Sequence, residues 1–293
     1  MKLVKHIHKY LFLVIIITSQ LYVSEMQAGQ FKLSQLDSIV SLIYNFRFKE
    51  ARELTYSMQT DEEYKVLPYA YSYYWEYLSG NEAEFNIKTC TNYLRYKPTP
   101  GNDDSLKRVY EVSVNLLKLR VNISKSNYIA PLLLFDDIRQ FFNQYDPEPT
   151  DDFNMLYWGL FNYYITYARE NTFAARYILN DWPESNKRSG IIMLENLKNS
   201  PSVFVRTEAL YFLVRIYFEG EKNFDQALKN ARELVAYYPN NYIYKWFCLR
   251  ILKAKGDTNE LNRSRQAFLD DLLQSDFYSE QQKSHFKRLL TSI

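Results

Sequence analysis

The sequence predicts an all-α protein assembled from helical hairpins, and two observations support this prediction. The first is a 34-residue stretch, Glu208 to Asn241, in which two amphipathic segments are separated by a short polar break. The second is the recurrence of similar paired segments along the chain, separated by breaks rich in Gly, Pro and Asn. We therefore expect helices throughout, with turns at these breaks.

Within the 34-residue stretch, apolar residues recur at helical spacing in both segments: Leu210, Val214, Tyr217, Phe224, Ala227, Leu228 and Ala231. Glycine ends helices with a positive φ at no steric cost, so Gly220 is expected to close the first helix in this way. Pro239 ends the second helix because it lacks an amide donor. Asn240 and Asn241 are suited to cap the helix that follows.

This unit resembles a tetratricopeptide repeat and keeps the length of that family without a gap. The residues that fall on family positions are Tyr211, Val214, Phe218, Phe224, Ala227 and Pro239. Arg215, Ala231 and Leu234 depart from the family pattern. The resemblance implies a right-handed solenoid of about six helical hairpins, closed by a C-terminal cap.

Residues 1–28 have the layout of a secretory signal peptide. Three lysines precede an apolar run over residues 11–18, and Ala28 offers a small residue for cleavage. The run is too short to span a bilayer comfortably, which favours removal over anchoring. No cysteine follows the run closely, so no lipid anchor is expected. We expect residues 29–293 to form one tetratricopeptide-like domain that is exported to the periplasm or secreted.

The charge balance gives no indication of a nucleic-acid partner. The chain has 36 basic and 34 acidic residues, and residues 1–28 contain three of the lysines and one glutamate, so residues 29–293 are neutral. Nucleic-acid binding requires a basic surface. Cys90 and Cys248 lie far apart in separate apolar stretches, so we expect two separate buried thiols and no disulfide.

The residue types needed for most catalytic or cofactor sites are scarce. The seven glycines are too dispersed for a phosphate-binding loop, and His285 is the only histidine after residue 28. One histidine and two distant cysteines do not supply a familiar metal site, so no metal or cofactor is expected. Paired acids such as Asp136 and Asp137 are weak glycosidase candidates. We therefore expect a protein that is not an enzyme.

The resemblance also implies where a partner would bind. The first helix of each repeat lines the inner surface of the solenoid, which would place Ala209, Phe212, Ile216 and Glu219 in a concave groove. Apolar residues in such a groove suit an extended peptide or a partner helix. Family members that hold chaperone tails use basic and asparagine residues where this chain has Phe212 and Ile216. The expected function is a protein-binding scaffold or adaptor in a cell envelope.

A second hypothesis rests on the aromatic content, which includes 27 tyrosines. Six of the nine residues from Tyr69 to Tyr77 are aromatic, and aromatic rings can stack on sugars. A glycan-binding or glycan-hydrolysing protein is therefore the alternative, with a possible aromatic platform formed by Tyr69, Tyr73, Trp75 and Tyr77. These rings would point in several directions around a helix, which favours a helix packed on several faces.

Overall fold

A computed structural model describes residues 33–59, 62–95 and 152–293, together with positions 114, 115, 117, 118, 120–122, 139, 142 and 143. Every regular element within these residues is helical, which confirms the all-α prediction. The predicted signal segment 1–28 and the acid pair at 136 and 137 lie outside the described residues.

The helices are numbered in chain order. The first four are α1 (Leu33–Tyr44), α2 (Phe48–Ser57), α3 (Glu62–Leu78) and α4 (Ala83–Tyr93). The next four are α5 (Asp152–Asn171), α6 (Phe173–Ile178), α7 (Lys187–Leu197) and α8 (Val203–Arg215), and α8 continues as a π-helical turn over Ile216–Gly220. The last four are α9 (Phe224–Tyr237), α10 (Tyr242–Lys255), α11 (Thr258–Gln274) and α12 (Glu280–Thr291).

The helix ends follow the capping residues closely. The Asn241 side chain accepts hydrogen bonds from the first amides of α10, and Ser279 and Gln282 form a reciprocal capping box at the start of α12. The expectation of a positive φ at Gly220 is wrong. The amide of Glu221 donates to the carbonyl of Ile216, which carries the π-helical turn through Gly220, and the left-handed residue is Lys222, with φ 56°.

The chain divides into two compact units. The described part of unit 1 comprises residues 33, 62–67, 93–95 and 152–206, together with the isolated described positions from 114 to 143. Unit 2 comprises residues 34–59, 68–92 and 207–293. The boundaries fall within α3 and α8 and at the terminal residues of α1 and α4, so neither unit is a continuous stretch of the chain.

Unit 1 is built on the packing of α5 against α7. Two glycines allow the backbones to approach closely, since a Cβ atom on Gly190 would lie 2.5 Å from the carbonyl oxygen of Gly159. The Phe161 ring packs between the rings of Phe142 and Trp182, at centroid distances of 4.3 and 6.1 Å. Aromatic packing therefore provides much of the core of this unit.

Unit 2 combines the C-terminal helices with helices from the start of the chain. The side-chain amide of Asn241 donates to the carbonyl of Tyr44 at the end of α1, and the ring of Phe46 stacks on that of Phe286 in α12. In a linear solenoid each hairpin contacts only its neighbours in sequence. The contacts of Tyr44 with the capping residue of α10, and of the turn after α1 with α12, are therefore additional to those that a repeat pattern can predict.

A buried polar cluster joins three helices of unit 2. One carboxylate oxygen of Glu208 in α8 accepts hydrogen bonds from the hydroxyls of Tyr44 in α1 and Tyr71 in α3, at 2.6 and 2.5 Å. Burial, followed by the negative charge of Glu208, raises the pKa of Tyr44 well above its usual value. The rings of Trp75 and Tyr244 pack edge to face beside this cluster. Tyr44, Tyr71 and Tyr244 are therefore buried core residues of unit 2.

As the sequence predicts, Cys90 and Cys248 form no disulfide with each other, and Cys90 is buried whereas Cys248 is partly buried. Burial raises the pKa of the Cys248 thiol to about 12. The nucleophilic thiolate is therefore scarce at neutral pH, and Cys248 is suited to packing.

Candidate functional site

The expected groove on α8 is not open to solvent. Ala209, Phe212 and Ile216 are 0, 0 and 1% exposed. Nine of the ten positions from 207 to 216 are buried, and since successive helical residues point 100° apart, α8 is enclosed on all sides. Glu219 is partly exposed, and its carboxylate pairs with Arg215 at 2.8 Å. In this structure, a partner would have no access to the three apolar residues.

The four residues of the expected aromatic platform do not share one surface. Trp75 is buried, whereas Tyr69, Tyr73 and Tyr77 form a half-buried stripe at spacings of four. The guanidinium of Arg52 lies over the Tyr73 ring at 4.6 Å, which covers part of that stripe. The expectation that this helix packs on several faces is confirmed.

An open cleft lies between α4 and α12, and all of its lining residues belong to unit 2. Three hydrogen bonds join the starts of these helices. The backbone amide of Glu82 donates to the side-chain carbonyl of Gln281, and the side-chain amide of Gln282 donates to the hydroxyl of Ser79. The hydroxyl of Ser279 donates to the side-chain carbonyl of Asn81. These bonds connect residues about 200 positions apart in sequence.

A second set of contacts supports this junction from behind. The side-chain amide of Asn81 donates to one oxygen of Glu76 at 2.7 Å, and Arg52 in α2 pairs with the other oxygen at 2.6 Å. Arg52 also donates to the hydroxyl of Ser72 in α3. Charge-assisted bonds between partly buried groups hold Asn81 in place. The start of the cleft is therefore fixed through α2 and α3.

The turn before α4 requires glycine at position 80. Gly80 has φ +80°, and a Cβ atom there would lie 2.3 Å from Cγ of His285. The imidazole of His285 thus lies against the Gly80 backbone and forms a hydrogen bond with the backbone of Leu78. Burial and the nearby charge of Arg288 lower the pKa of His285 below its usual value, because both disfavour the imidazolium.

The cleft has a volume of about 1170 Å³. Its lining residues are Gly80, Glu82, Ala83, Glu84, Phe85 and Lys88 on one side, and Glu280, Gln281, Ser284 and Arg288 on the other. This volume is above the range of about 300 to 1000 Å³ that is usual for small-molecule pockets. The size suits a segment of a polypeptide better than a compact metabolite.

Phe85 is the principal apolar group of the cleft. Its side chain is 58% exposed, and its ring meets the ring of Tyr73 edge to face at a centroid distance of 6.4 Å. Sequence reasoning missed this residue, although a signal was present. Ile87, Cys90 and Leu94 form the buried apolar stripe of this segment, and Phe85 lies off that stripe.

Unit 1 contains a smaller recess of about 500 Å³ between α5, α6 and the segment that follows α6. One guanidinium nitrogen of Arg169 donates to the carbonyls of Leu179 and Trp182, which holds that segment against α5. Burial lowers the pKa of Arg169. The guanidinium is thus engaged in supporting the protein's own backbone.

Next to this recess, α6 exposes a group of large apolar side chains. Phe173, Tyr177 and Ile178 are 72, 70 and 50% exposed, and the rings of Phe173 and Tyr177 lie 5.0 Å apart. Arg176 of the same helix lines the recess. Exposed apolar groups of this kind are often contact sites.

The described residues form helices, and two of these helices border an open cleft lined by acidic, basic and apolar side chains. Within the described residues, no group of histidine, cysteine and carboxylate side chains is arranged to hold a metal ion. Comparison of the chain with protein-family models, curated proteins and solved structures gave no match. The function is therefore inferred from the site itself.

Proposed function

We propose that this chain is an exported, tetratricopeptide-like scaffold or adaptor that binds a segment of a partner protein between α4 and α12 and catalyses no reaction. The proposal includes the finer arrangement of about six helical hairpins with a C-terminal cap, and a location in the periplasm or outside the cell. The proposed site differs from the groove on α8 that the family resemblance implies.

The observation that carries the proposal is the exposure of Phe85 in the α4–α12 cleft. A phenylalanine that is 58% exposed leaves apolar area in water, and covering it with an apolar side chain is favourable. Aromatic residues in defined pockets commonly contribute much of the binding energy of protein interfaces. Phe85 is therefore the proposed anchor point.

The rigidity of the surrounding structure supports a binding role. Ser79, Asn81 and Glu82 are held by side chains of the α12 capping segment, and Asn81 is held further by Glu76. A cleft that is already fixed in the free protein loses little conformational entropy when a ligand binds. This arrangement favours recognition of a short segment.

Export is proposed from residues 1–28, whose lysines and short apolar run match a signal peptide. None of the helices within the described residues is long and apolar enough to cross a bilayer.

The test is site-specific photo-crosslinking with the full chain in the cells that produce it. A photoreactive phenylalanine analogue replaces Phe85 in one variant and Tyr56 in the control. Tyr56 lies in α2 of the same unit and is 78% exposed, but it does not line the cleft. We expect a discrete crosslinked protein from position 85 that is not obtained from position 56.

A second experiment places the photoreactive group at position 281, because Gln281 also lines the cleft. The chain with this group is then compared with and without a Phe85→Ser substitution. The crosslink from position 281 should weaken when Phe85 is removed. The proposal is contradicted if positions 85 and 56 give the same crosslinked products. It is also contradicted if the yield of the product from position 281 is the same with and without Phe85→Ser.

Glycan binding is the second candidate, and the recess of unit 1 favours it. The recess brings together the hydroxyl of Thr166, the amide of Asn180 and the guanidinium of Arg176, and the residue after Arg176 is the exposed Tyr177. Polar groups beside an exposed ring suit a sugar. Selective retention on a glycan array that is lost on Tyr177→Ala, but kept on Tyr56→Ala, would favour this function.

A further inference from the structure

We infer that the segment bound in the α4–α12 cleft carries one apolar residue flanked by charges of opposite sign. This inference rests on the proposed function and specifies its ligand. It follows from the separation of charge along the cleft. Three glutamates, Glu82, Glu84 and Glu280, line the part of the cleft where the two helices begin. The cations Lys88 and Arg288 come later in each helix.

The helices begin at the same place, which makes the charge separation directional. The hydrogen bonds from Glu82 to Gln281 and from Ser279 to Asn81 bring the two helix starts together. At a rise of 1.5 Å per residue, Lys88 lies about 6 Å beyond Glu84, and Arg288 lies about 12 Å beyond Glu280. Counted along each helix from this shared start, the acidic residues come first and the cations later, with Phe85 between Glu84 and Lys88 in the α4 sequence.

Most of these charges have no counter-charge among the described residues. Lys88, Arg288, Glu82 and Glu84 form no ion pair with any residue in the described part of the chain, whereas Glu280 pairs with Lys283 at 3.3 Å. The amino-terminal ends of helices favour nearby acids, which suits Glu84 and Glu280 in the first turns of α4 and α12. All of these side chains except that of Lys283 are exposed, so each is accessible to a ligand.

The spacing sets the dimensions of the ligand. An extended peptide advances about 3.3 Å per residue, so charges 6 to 12 Å apart are two to four residues apart. A leucine-sized side chain between them would reach Phe85, with a basic residue toward Glu84 and an acidic residue toward Lys88 and Arg288. A segment with two like charges would place one of them at the end of the cleft with the same sign.

The test uses three labelled nonapeptides that share a glycine and serine background and a central leucine. Their flanking residues are Lys and Glu, Glu and Glu, or Lys and Lys. Fluorescence anisotropy with the full chain measures affinity at low salt and at 0.5 M salt. Exposed ion pairs are individually weak, so we expect the Lys–Leu–Glu peptide to bind about fivefold more tightly than either of the others. This preference should shrink at high salt.

Variants identify the groups responsible. In the double variant Lys88→Glu/Arg288→Glu, both ends of the cleft are acidic, so the preferred peptide should become Lys–Leu–Lys. Both substitutions are at exposed positions, and circular dichroism should show unchanged helicity. Phe85→Ser should weaken the binding of all three peptides, because the apolar contact is common to them.

The possible failures are distinguishable. Equal binding of the three peptides, still lost on Phe85→Ser, overturns the charge order and leaves the proposed cleft function intact. The same is true if the preference does not change in the charge-reversed variant. Binding that is absent, or indifferent to Phe85, for all three peptides overturns this inference, and the crosslinking test at position 85 then decides separately whether the cleft function survives.

Discussion

Phe212 and Phe85 illustrate two opposite outcomes for an aromatic residue on a helix of the same unit. Phe212 in α8 is fully buried, whereas Phe85 in α4 is 58% exposed. The family resemblance places Phe212 on an open groove, and it gives Phe85 no role. The difference shows that helical periodicity defines a face without revealing whether another helix covers it.

The covering helices come from distant parts of the chain. Tyr44 of α1 and Tyr71 of α3 reach α8 through their hydrogen bonds to Glu208, and Tyr211 packs on Phe247 of α10. These neighbours leave α8 enclosed. By contrast, α4 is joined to α12 at its first turn, and the space that follows is the cleft containing Phe85.

The largest expected effect is on stability and separates these two phenylalanines. Phe212→Ala removes a fully buried ring, so the free energy of unfolding should fall by about 3 to 5 kcal/mol. Phe85→Ala removes an exposed ring, and the change should stay within about 0.5 kcal/mol. Urea denaturation followed by circular dichroism measures both. Similar losses in the two variants would show that Phe85 is a core residue, and the cleft proposal would lose its anchor.

The sequence predicts local features of this fold well. The helix pair over 208–241, the cap at Asn241 and the capping box at Ser279 each depend on residues within one or two turns. The enclosure of α8 was also partly predictable. Residues 207–216 include seven apolar side chains that point in all directions, and a helix that is apolar all round is usually buried.

The cleft was not predictable in the same way. Its floor depends on hydrogen bonds from Ser279 to Asn81 and from Gln282 to Ser79, which join residues about 200 positions apart. A single sequence contains no signal for such pairings, because each of these polar residues is equally suited to a local cap. The capping box at Ser279 depends on residues 279–282 alone, so it does not reveal the second partner of that hydroxyl.

The second-largest expected effect is also on the free energy of unfolding, and it tests the hydrogen bonds that hold α1 and α3 against α8. Glu208→Gln replaces a buried carboxylate that accepts from Tyr44 and Tyr71 with a neutral amide. Hydrogen bonds to a charged group contribute about 1.5 to 3 kcal/mol, so we expect a loss of about 2 kcal/mol in the free energy of unfolding. A double-mutant cycle with Tyr71→Phe measures the coupling between the two side chains. Additive losses would mean that this bond does not hold α3 to α8.

The smallest expected effect is a pH dependence of the free energy of unfolding, which His285 contributes at the floor of the cleft. Burial lowers the pKa of His285 in the folded protein, Arg288 lowers it further, and the hydrogen bond with the Leu78 backbone opposes both. The unfolded chain, with a histidine pKa near 6.5, therefore binds more protons than the folded one as pH falls below that value. Stability contributed by the neutral imidazole is present above about pH 6.5 and is lost as pH falls through the folded-state pKa.

We expect the parent protein to lose more stability between pH 7 and pH 5 than His285→Phe, which keeps a planar ring but cannot titrate. Arg288→Glu should reduce the difference without removing it, because burial is the larger cause of the lowered pKa. Urea denaturation at several pH values measures each curve. Parallel curves for the parent and His285→Phe would mean that the imidazole is not held against Gly80 as the structure describes. The floor of the cleft would then be looser than the docking of a short segment requires.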